Sequence, residues 1–252
     1  MAITITKKTD QARGQFNGGE ILENKPIGFP REGGKLKPYS NLFYWSHAWS
    51  DEGSTIGLHP HQGFEILSFV FEGQIEHYDT SDEKWKPIEK GGAQIIRSGN
   101  GISHSERLNS GAHMFQIWFD PNLSKALEKP ASYNDYRDQD FPVEEKNGMK
   151  IKTYKGKGAP LMMDSPEVEI KEVSLEAGQH EMPTEEDKIY SYYLIEGEVE
   201  TPDGKLEAHD FLRVESESKL SLEMKERSRF FLVVNPKKLD YLSYYESAMA
   251  NA

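Results

Sequence analysis

Apolar and β-branched residues recur in short stretches of five to eight, separated by Gly, Pro, Asn and Asp. Examples are Glu65–Phe71 (EILSFVF), Ala93–Arg97 (AQIIR), His113–Phe119 (HMFQIWF), Val168–Leu175 (VEIKEVSL), Tyr190–Ile195 (YSYYLI) and Arg229–Val234 (RFFLVV). Strands at such spacing predict a sandwich or barrel, not alternating βαβ units, so the expected class is all-β. Helical signals are few and peripheral: Asn122 is placed to cap a short helix through SKALEK before Pro130, and the tail after Pro236 (KKLDYLSYYESAMA) forms another candidate.

The pattern repeats. Phe69–Asp79 (FVFEGQIEHYD) and Tyr193–Gly204 (YLIEGEVETPDG) each read as a strand, a Glu-Gly turn, an acidic-apolar strand and a further turn. Two related barrels in tandem account for this, the alternative being a generic hairpin that occurs twice by chance. The segment Glu128–Lys150 between the copies lacks periodicity, and the boundary is placed there.

Composition narrows the function. Thirty Lys plus Arg against 42 Asp plus Glu give a net charge of −12, the reverse of the basic footprint that clamps phosphate backbones or anionic membranes. No run reaches the roughly 18 apolar residues of a membrane span, and the first residues lack a signal-peptide core, so a cytoplasmic protein is expected. The absence of cysteine removes disulfides, thiolate metal sites and Cys nucleophiles together, leaving nitrogen and oxygen ligands for any metal.

Histidine supplies the candidate chemistry. His47, His59, His61, His77, His104 and His113 lie in the first half, against His180 and His209 in the second. In GLHPHQGFE, His59 and His61 are two apart, which on a strand puts both imidazoles on one face about 7 Å apart at the backbone; Glu65 has the same parity. Pro60 between them lacks an amide donor and predicts a strand start or an edge. In SGNGISHSE, Gly99 and Gly101 permit a tight bend, after which His104 and Glu106 again have same-face spacing. Three imidazoles and one carboxylate suit a divalent Fe, Mn, Co, Ni, Cu or Zn ion and, if six-coordinate, leave two positions for substrate or dioxygen. A dication with one carboxylate leaves a formal charge of +1, which favours an anionic enolate or phenolate.

A lone HxH is more often a surface pair than a ligand pair; two same-face clusters together outweigh that reading. A hydrolase is excluded because Ser103, His104, Ser105 and Glu106 follow one another on one strand, and no GxSxG elbow occurs. No dinucleotide fingerprint or P-loop is present. Gln116 and Trp118 share parity on the following strand, where they line either a pocket or the core.

At these residues the chain resembles the cupin superfamily, in which a glycine, five residues, HPH and a later Glu form the first motif, here Gly53 to Glu65. It resembles the pirins more closely: HPHQGFE, EGQIEH with Tyr78-Asp79, GNGISHSE and FQIWFDP follow in the family's order between Gly53 and Pro121. The second half resembles the pirin C-terminal barrel only through its hairpin and length. The resemblance implies a bicupin, with residues 1–135 forming a metal-bearing N-terminal barrel and residues 136–252 a C-terminal barrel without metal, since His180 has no HxH companion. It implies one mononuclear site, usually iron, on His59, His61, His104 and Glu106; in other cupins the first-motif glutamate, here Glu65, is the carboxylate ligand.

The turn after Asp79 (TSDEKWKP) lacks the family's Ser-x-Gly, and the stretch before HPH is shorter; both bear on the pocket mouth. Some pirins resemble quercetinases, which open a flavonol ring with dioxygen and release carbon monoxide. That implies a flavonol-like substrate, with Glu106 as general base and Glu65 as runner-up. The alternative, also implied by the family, is an iron-binding, redox-sensing regulatory protein that binds a protein partner.

Overall fold

In a computed structural model describing residues 3–250, every apolar stretch named above folds as a strand, with ends shifted by at most two residues. In chain order the strands are β1 (Ile3–Thr6), β2 (Ala12–Phe16), β3 (Ile21–Ile27), β4 (Leu42–Ser50), β5 (Ser54–His61), β6 (Glu65–Glu72), β7 (Gln74–Asp79), β8 (Lys86–Glu89), β9 (Ala93–Arg97), β10 (Ile102–Leu108), β11 (Ala112–Phe119) and β12 (Ser132–Tyr136). There follow β13 (Val143–Lys146), β14 (Met149–Lys155), β15 (Glu169–Leu175), β16 (Gly178–Pro183), β17 (Lys188–Glu196), β18 (Glu198–Thr201), β19 (Gly204–Glu207), β20 (Phe211–Glu215), β21 (Lys219–Met224) and β22 (Ser228–Pro236). Among the described residues the α-helices are α1 (Leu123–Ala126), directly after Asn122, and α2 (Tyr244–Ala250). The second begins well after Pro236, where Ser243 and Glu246 form a reciprocal capping box.

The first unit comprises Gln11–Asp140, Leu161–Pro166 and residues 240–250; the second comprises residues 3–10, Phe141–Pro160 and Glu167–Leu239. The first has a seven-stranded sheet, β12-β9-β6-β11-β4-β3-β2, and a four-stranded sheet, β5-β10-β7-β8. The second repeats the order with β1-β20-β17-β22-β15-β14-β13 and β16-β21-β18-β19. The Glu-Gly hairpin has the same place in each: β6 and β17 lie in the large sheets, β7 and β18 in the small ones, and Gly73 (φ 67°) and Gly197 (φ 100°) make the turn between.

The expected division at 135/136 falls within β12, and the first unit's main run continues to Asp140. Two exchanges were not legible. Strand β1 pairs with β20, Ile3 opposite Val214, and so edges the second unit's sheet at the position that β12 holds in the first. Residues 161–166 return to the first unit: Arg97 donates to the Met162 carbonyl (2.6 Å), Asn41 to the Pro166 carbonyl (3.1 Å), and Glu65 accepts from Asp164 and Ser165. The expected domains also included residues 1–2 and 251–252, which lie outside the described residues.

The interiors differ. The second unit is filled by buried apolar side chains, among them Val173, Tyr192, Leu212, Leu222, Phe230 and Leu232, and His180 lies outside this core with its ring on the Glu176 carbonyl. The first unit is layered. Met114, Ala48 and Val70 form one apolar row across β11, β4 and β6. The next inward row is polar, with Ser46, Gln116, Ser68 and Gln94 side by side on β4, β11, β6 and β9. Beyond it Tyr44, Trp118, Ile66 and Ile96 form an apolar and aromatic row. Buried polar groups need partners, so a polar row inside an otherwise apolar barrel marks what the opposite sheet presents to it.

Candidate metal centre

The opposite sheet presents histidines. Strand β5 is its edge, as Pro60 requires, and pairs His59 with His104 and His61 with Ile102 on β10. The register slips between His104 and Glu106, because Gly57 and Leu58 on β5 together oppose Ser105. This bulge re-aims the end of β5, and the three rings close into a near-equilateral triangle with centroids 4.5–4.7 Å apart. One nitrogen from each of His59, His61 and His104 lies within 4.8 Å of the other two.

The donor set fits a cation. His59 Nδ1 lies 2.8 Å from the Gly57 carbonyl, which only a protonated Nδ1 satisfies, so in the neutral ring Nε2 carries the lone pair. That Nε2 faces the His104 Nε2 at 3.0 Å. Two nitrogens each about 2.1 Å from one ion, with a right angle between them, are about 3.0 Å apart. Burial, reinforced by the neighbouring imidazoles His104 and His59, lowers the His61 pKa to about 3. Burial with His59 and His77 nearby lowers that of His104 to about 2, so both rings are neutral at physiological pH and each offers a lone pair. The buried His61 Nε2 has no hydrogen-bond partner.

Glu106 lies two residues after His104 on the same buried face of β10, but its carboxylate is not one of the three mutually close ligand atoms. The polar row holds it: Ser68 Oγ (2.8 Å) and Gln94 Nε2 (2.9 Å) donate to Oε1, and Gln116 Nε2 donates to Oε2. Glu65 is elsewhere. Its parity with His59 and His61 does not survive the turn at Gln62–Phe64, and on β6 the inward residues are Ile66, Ser68 and Val70. The Glu65 carboxylate accepts from the Asp164 amide (2.5 Å), the Ser165 amide (2.9 Å) and Ser165 Oγ (2.6 Å). The expected base or ligand role for Glu65 is corrected accordingly, because its acceptor capacity is directed at residues 164–165.

Several neighbours are not among the expected ligands. His77 on β7 is fully buried and stacks on Tyr133 (4.3 Å, 10°), and its Nε2 bonds Asp79 Oδ2 at 2.8 Å. Burial raises the Asp79 carboxyl, but hydrogen bonds from Ser81 and His77 outweigh it and hold the pKa at about 2. Burial also lowers His77, against the hydrogen bond to Asp79. Trp118 packs edge-on against His61 (4.8 Å) and joins Phe29, Tyr44 and Phe64 in an aromatic wall. The signals were there: Ser68 and Gln94 interrupt strongly apolar strands at inward parity, and His77 lies in the second strand of the first hairpin copy. An open depression of about 590 Å³ lies beside the triangle at His61, with Pro60, Gln62, Thr80, Asn100 and Ser103 also on its walls.

Among the described residues no helix is long and apolar enough to cross a membrane. The family model for pirin matches residues 34–119. A Pseudomonas aeruginosa protein named "Putative quercetin 2,3-dioxygenase" is 30% identical over 195 residues, 73% of this chain and 81% of the relative. The quercetin 2,3-dioxygenase of Escherichia coli K12 is 40% identical over 74 residues, 28% of this chain and 32% of that one. The crystal structure of a bacterial pirin of E. coli in complex with nickel(II) superposes with a TM-score of 0.76 at 22% identity, covering 94% of this chain and 100% of the other. With its two barrels of like topology and the HPH and HSE segments on neighbouring, hydrogen-bonded strands of the first, the chain belongs to the pirin family of the cupin superfamily.

Proposed function

We propose that the first barrel holds one divalent metal ion on His59, His61, His104 and Glu106 and opens the ring of a flavonol-like aromatic with dioxygen. One observation carries the reading: three imidazoles, two of them kept neutral by burial, converge within 4.8 Å beside an open depression. The names of the P. aeruginosa and E. coli relatives support the chemistry, and the nickel(II) complex of the E. coli pirin supports a metal in this fold. We propose Fe(II) as the native ion; Mn, Co, Ni, Cu and Zn suit the same donors.

When bound, such an ion supplies Lewis acidity and a route for electrons between an aromatic hydroxylate and dioxygen. The chain does the rest. Trp118 and Phe64 offer ring faces and edges against which a flat aromatic packs. Gln62, Thr80, Asn100 and Ser103 give the mouth donors and acceptors for peripheral hydroxyls. Glu106 accepts the substrate hydroxyl proton at Oε2, the oxygen with one donor against two on Oε1. Glu65, bound to Ser165, takes no part.

The test is dioxygen uptake by anaerobically Fe(II)-loaded protein given quercetin, with His59→Ala as control. Flavonol-dependent uptake that is lost in the control is the expected result. No uptake at stoichiometric iron overturns the dioxygenase reading and leaves the redox-responsive regulatory one.

A further inference from the structure

A directional chain runs from the aromatic row into the polar one, and its first member does not touch the carboxylate it controls. Trp118 Nε1 lies 3.2 Å from Gln116 Oε1, and Gln116 Nε2 bonds Glu106 Oε2. An indole nitrogen only donates, so it fixes the amide with its oxygen toward Trp118 and its NH₂ group toward Glu106. An amide turned over would set two donors face to face at Trp118 and two acceptors face to face at Glu106, a double mismatch at two partly buried hydrogen bonds. Ser68 and Gln94 occupy the other carboxylate oxygen, and Gln94 also donates to Ser68 Oγ (3.0 Å), so only the Gln116 arm depends on an amide whose orientation is set from outside the cluster.

Trp118 and Gln116 face the same interior because they sit two apart on β11, where they pair with Tyr44 and Ser46 on one side and Ile66 and Ser68 on the other. The Trp118 ring packs on His61 (4.8 Å), Tyr44 (5.4 Å), Phe29 (5.2 Å) and Phe64 (5.8 Å), so the indole has little freedom to turn its N–H away. We infer that Trp118 is a positioning residue for the metal carboxylate: through Gln116 it sets the direction in which Glu106 Oε2 points, and so the affinity of the site for its ion. The inference rests on the proposed ligand set of His59, His61, His104 and Glu106. It makes the aromatic wall and the carboxylate one unit, so an aromatic ligand that turns the Trp118 ring also alters the pull of Gln116 on Glu106.

The probe is Ni(II), titrated into metal-free protein by calorimetry, with the electronic spectrum of the Co(II)-loaded protein as a second readout. Trp118→Phe keeps an aromatic ring against His61 but lacks the N–H; Gln116→Leu removes the amide, and the double variant closes the cycle. Outer hydrogen-bond partners of metal ligands typically contribute about 10- to 100-fold in affinity, and a loss in that range is expected for each single variant. The double variant is expected to lose no more than Gln116→Leu alone, because Trp118 acts through Gln116. The Co(II) spectra of the two single variants are expected to shift alike, while unfolding of the metal-free proteins stays close to wild type. Wild-type Ni(II) affinity in Trp118→Phe, or losses that multiply in the double variant, would overturn the inference. Should Trp118→Phe fold poorly, Gln116→Met reads the same arm at similar volume, and unchanged Ni(II) affinity there overturns it equally. Failure of the ligand set itself is separable, because it would appear as undiminished Ni(II) binding in His104→Ala.

Discussion

Replacing Glu65 by Ala separates the two carboxylates that the sequence left in competition. The side chain is 1% exposed and accepts two backbone amides and one hydroxyl from residues 164–165. In Glu65→Ala the Ser165 hydroxyl can rotate to another acceptor, but the two amides cannot. A buried donor without a partner costs about 1–3 kcal/mol, so the pair costs about 2–6 kcal/mol. Some of this is returned, because burial raises the Glu65 pKa beyond what its donors offset, and Ala removes that buried charge. A net loss of about 2–4 kcal/mol is expected, which at about 2–4 °C per kcal/mol for a unit of this size lowers Tm by about 5–15 °C. The assay is thermal unfolding of metal-free protein followed by near-UV circular dichroism, beside Ni(II) titration of the same samples. Ni(II) affinity should stay within about threefold of wild type, as expected for a distant independent site. Unchanged Tm with lost Ni(II) binding would refute the reasoning and restore Glu65 as a ligand.

Three further outcomes follow from the same geometry. His104→Ala should remove most bound metal, read by mass spectrometry of protein loaded with one equivalent of Ni(II), since it deletes the imidazole facing His59. Burial raises the Asp120 carboxyl to about 6, so the folded state binds its proton more tightly than the unfolded one and stability falls as pH rises from about 4 to 6, by about 3 kcal/mol in all. Asp120→Asn, which keeps an acceptor for the Tyr244 amide, should therefore raise Tm at pH 7 and leave it nearly unchanged at pH 4; an equal effect at both would count against this. Deleting residues 1–10 removes β1 from β20 and Lys7 from Asp210 (2.8 Å), and protection of the Phe211–Val214 amides against hydrogen exchange should fall well below that of β22.

The legible part of the molecule was local. Short apolar and β-branched runs between turn residues marked β6, β9, β11, β15, β17 and β22, and the Glu-Gly echo marked the step from large to small sheet in both barrels. The HPH and HSE spacings named three imidazoles that the fold brings within 4.8 Å of one another, each motif pair lying within one strand. What failed required pairing across distance. Glu65 was counted in phase with His59 across a turn, where parity has no meaning. Strand β1 carries nothing in Ile-Thr-Ile-Thr that names β20 as its partner, and residues 161–166 return to the first unit through hydrogen bonds to Arg97 and Asn41 that no pattern announces. The bulge at Gly57–Leu58 was equally hidden, although it aims His59 at His104. The polar row was half legible: Ser68 and Gln94 are visibly out of place in apolar strands, but their common partner Glu106 lies on the opposite sheet.

The most direct test of the metal centre is a crystal structure of the Ni(II)-loaded protein with anomalous data at the nickel edge. The expected result is one ion per chain in the first barrel, with a nitrogen from each of His59, His61 and His104 and an oxygen of Glu106 at about 2.1 Å. An ion held by Glu65 or bound in the second barrel, or a histidine triangle that stays without an ion at stoichiometric nickel, would contradict it.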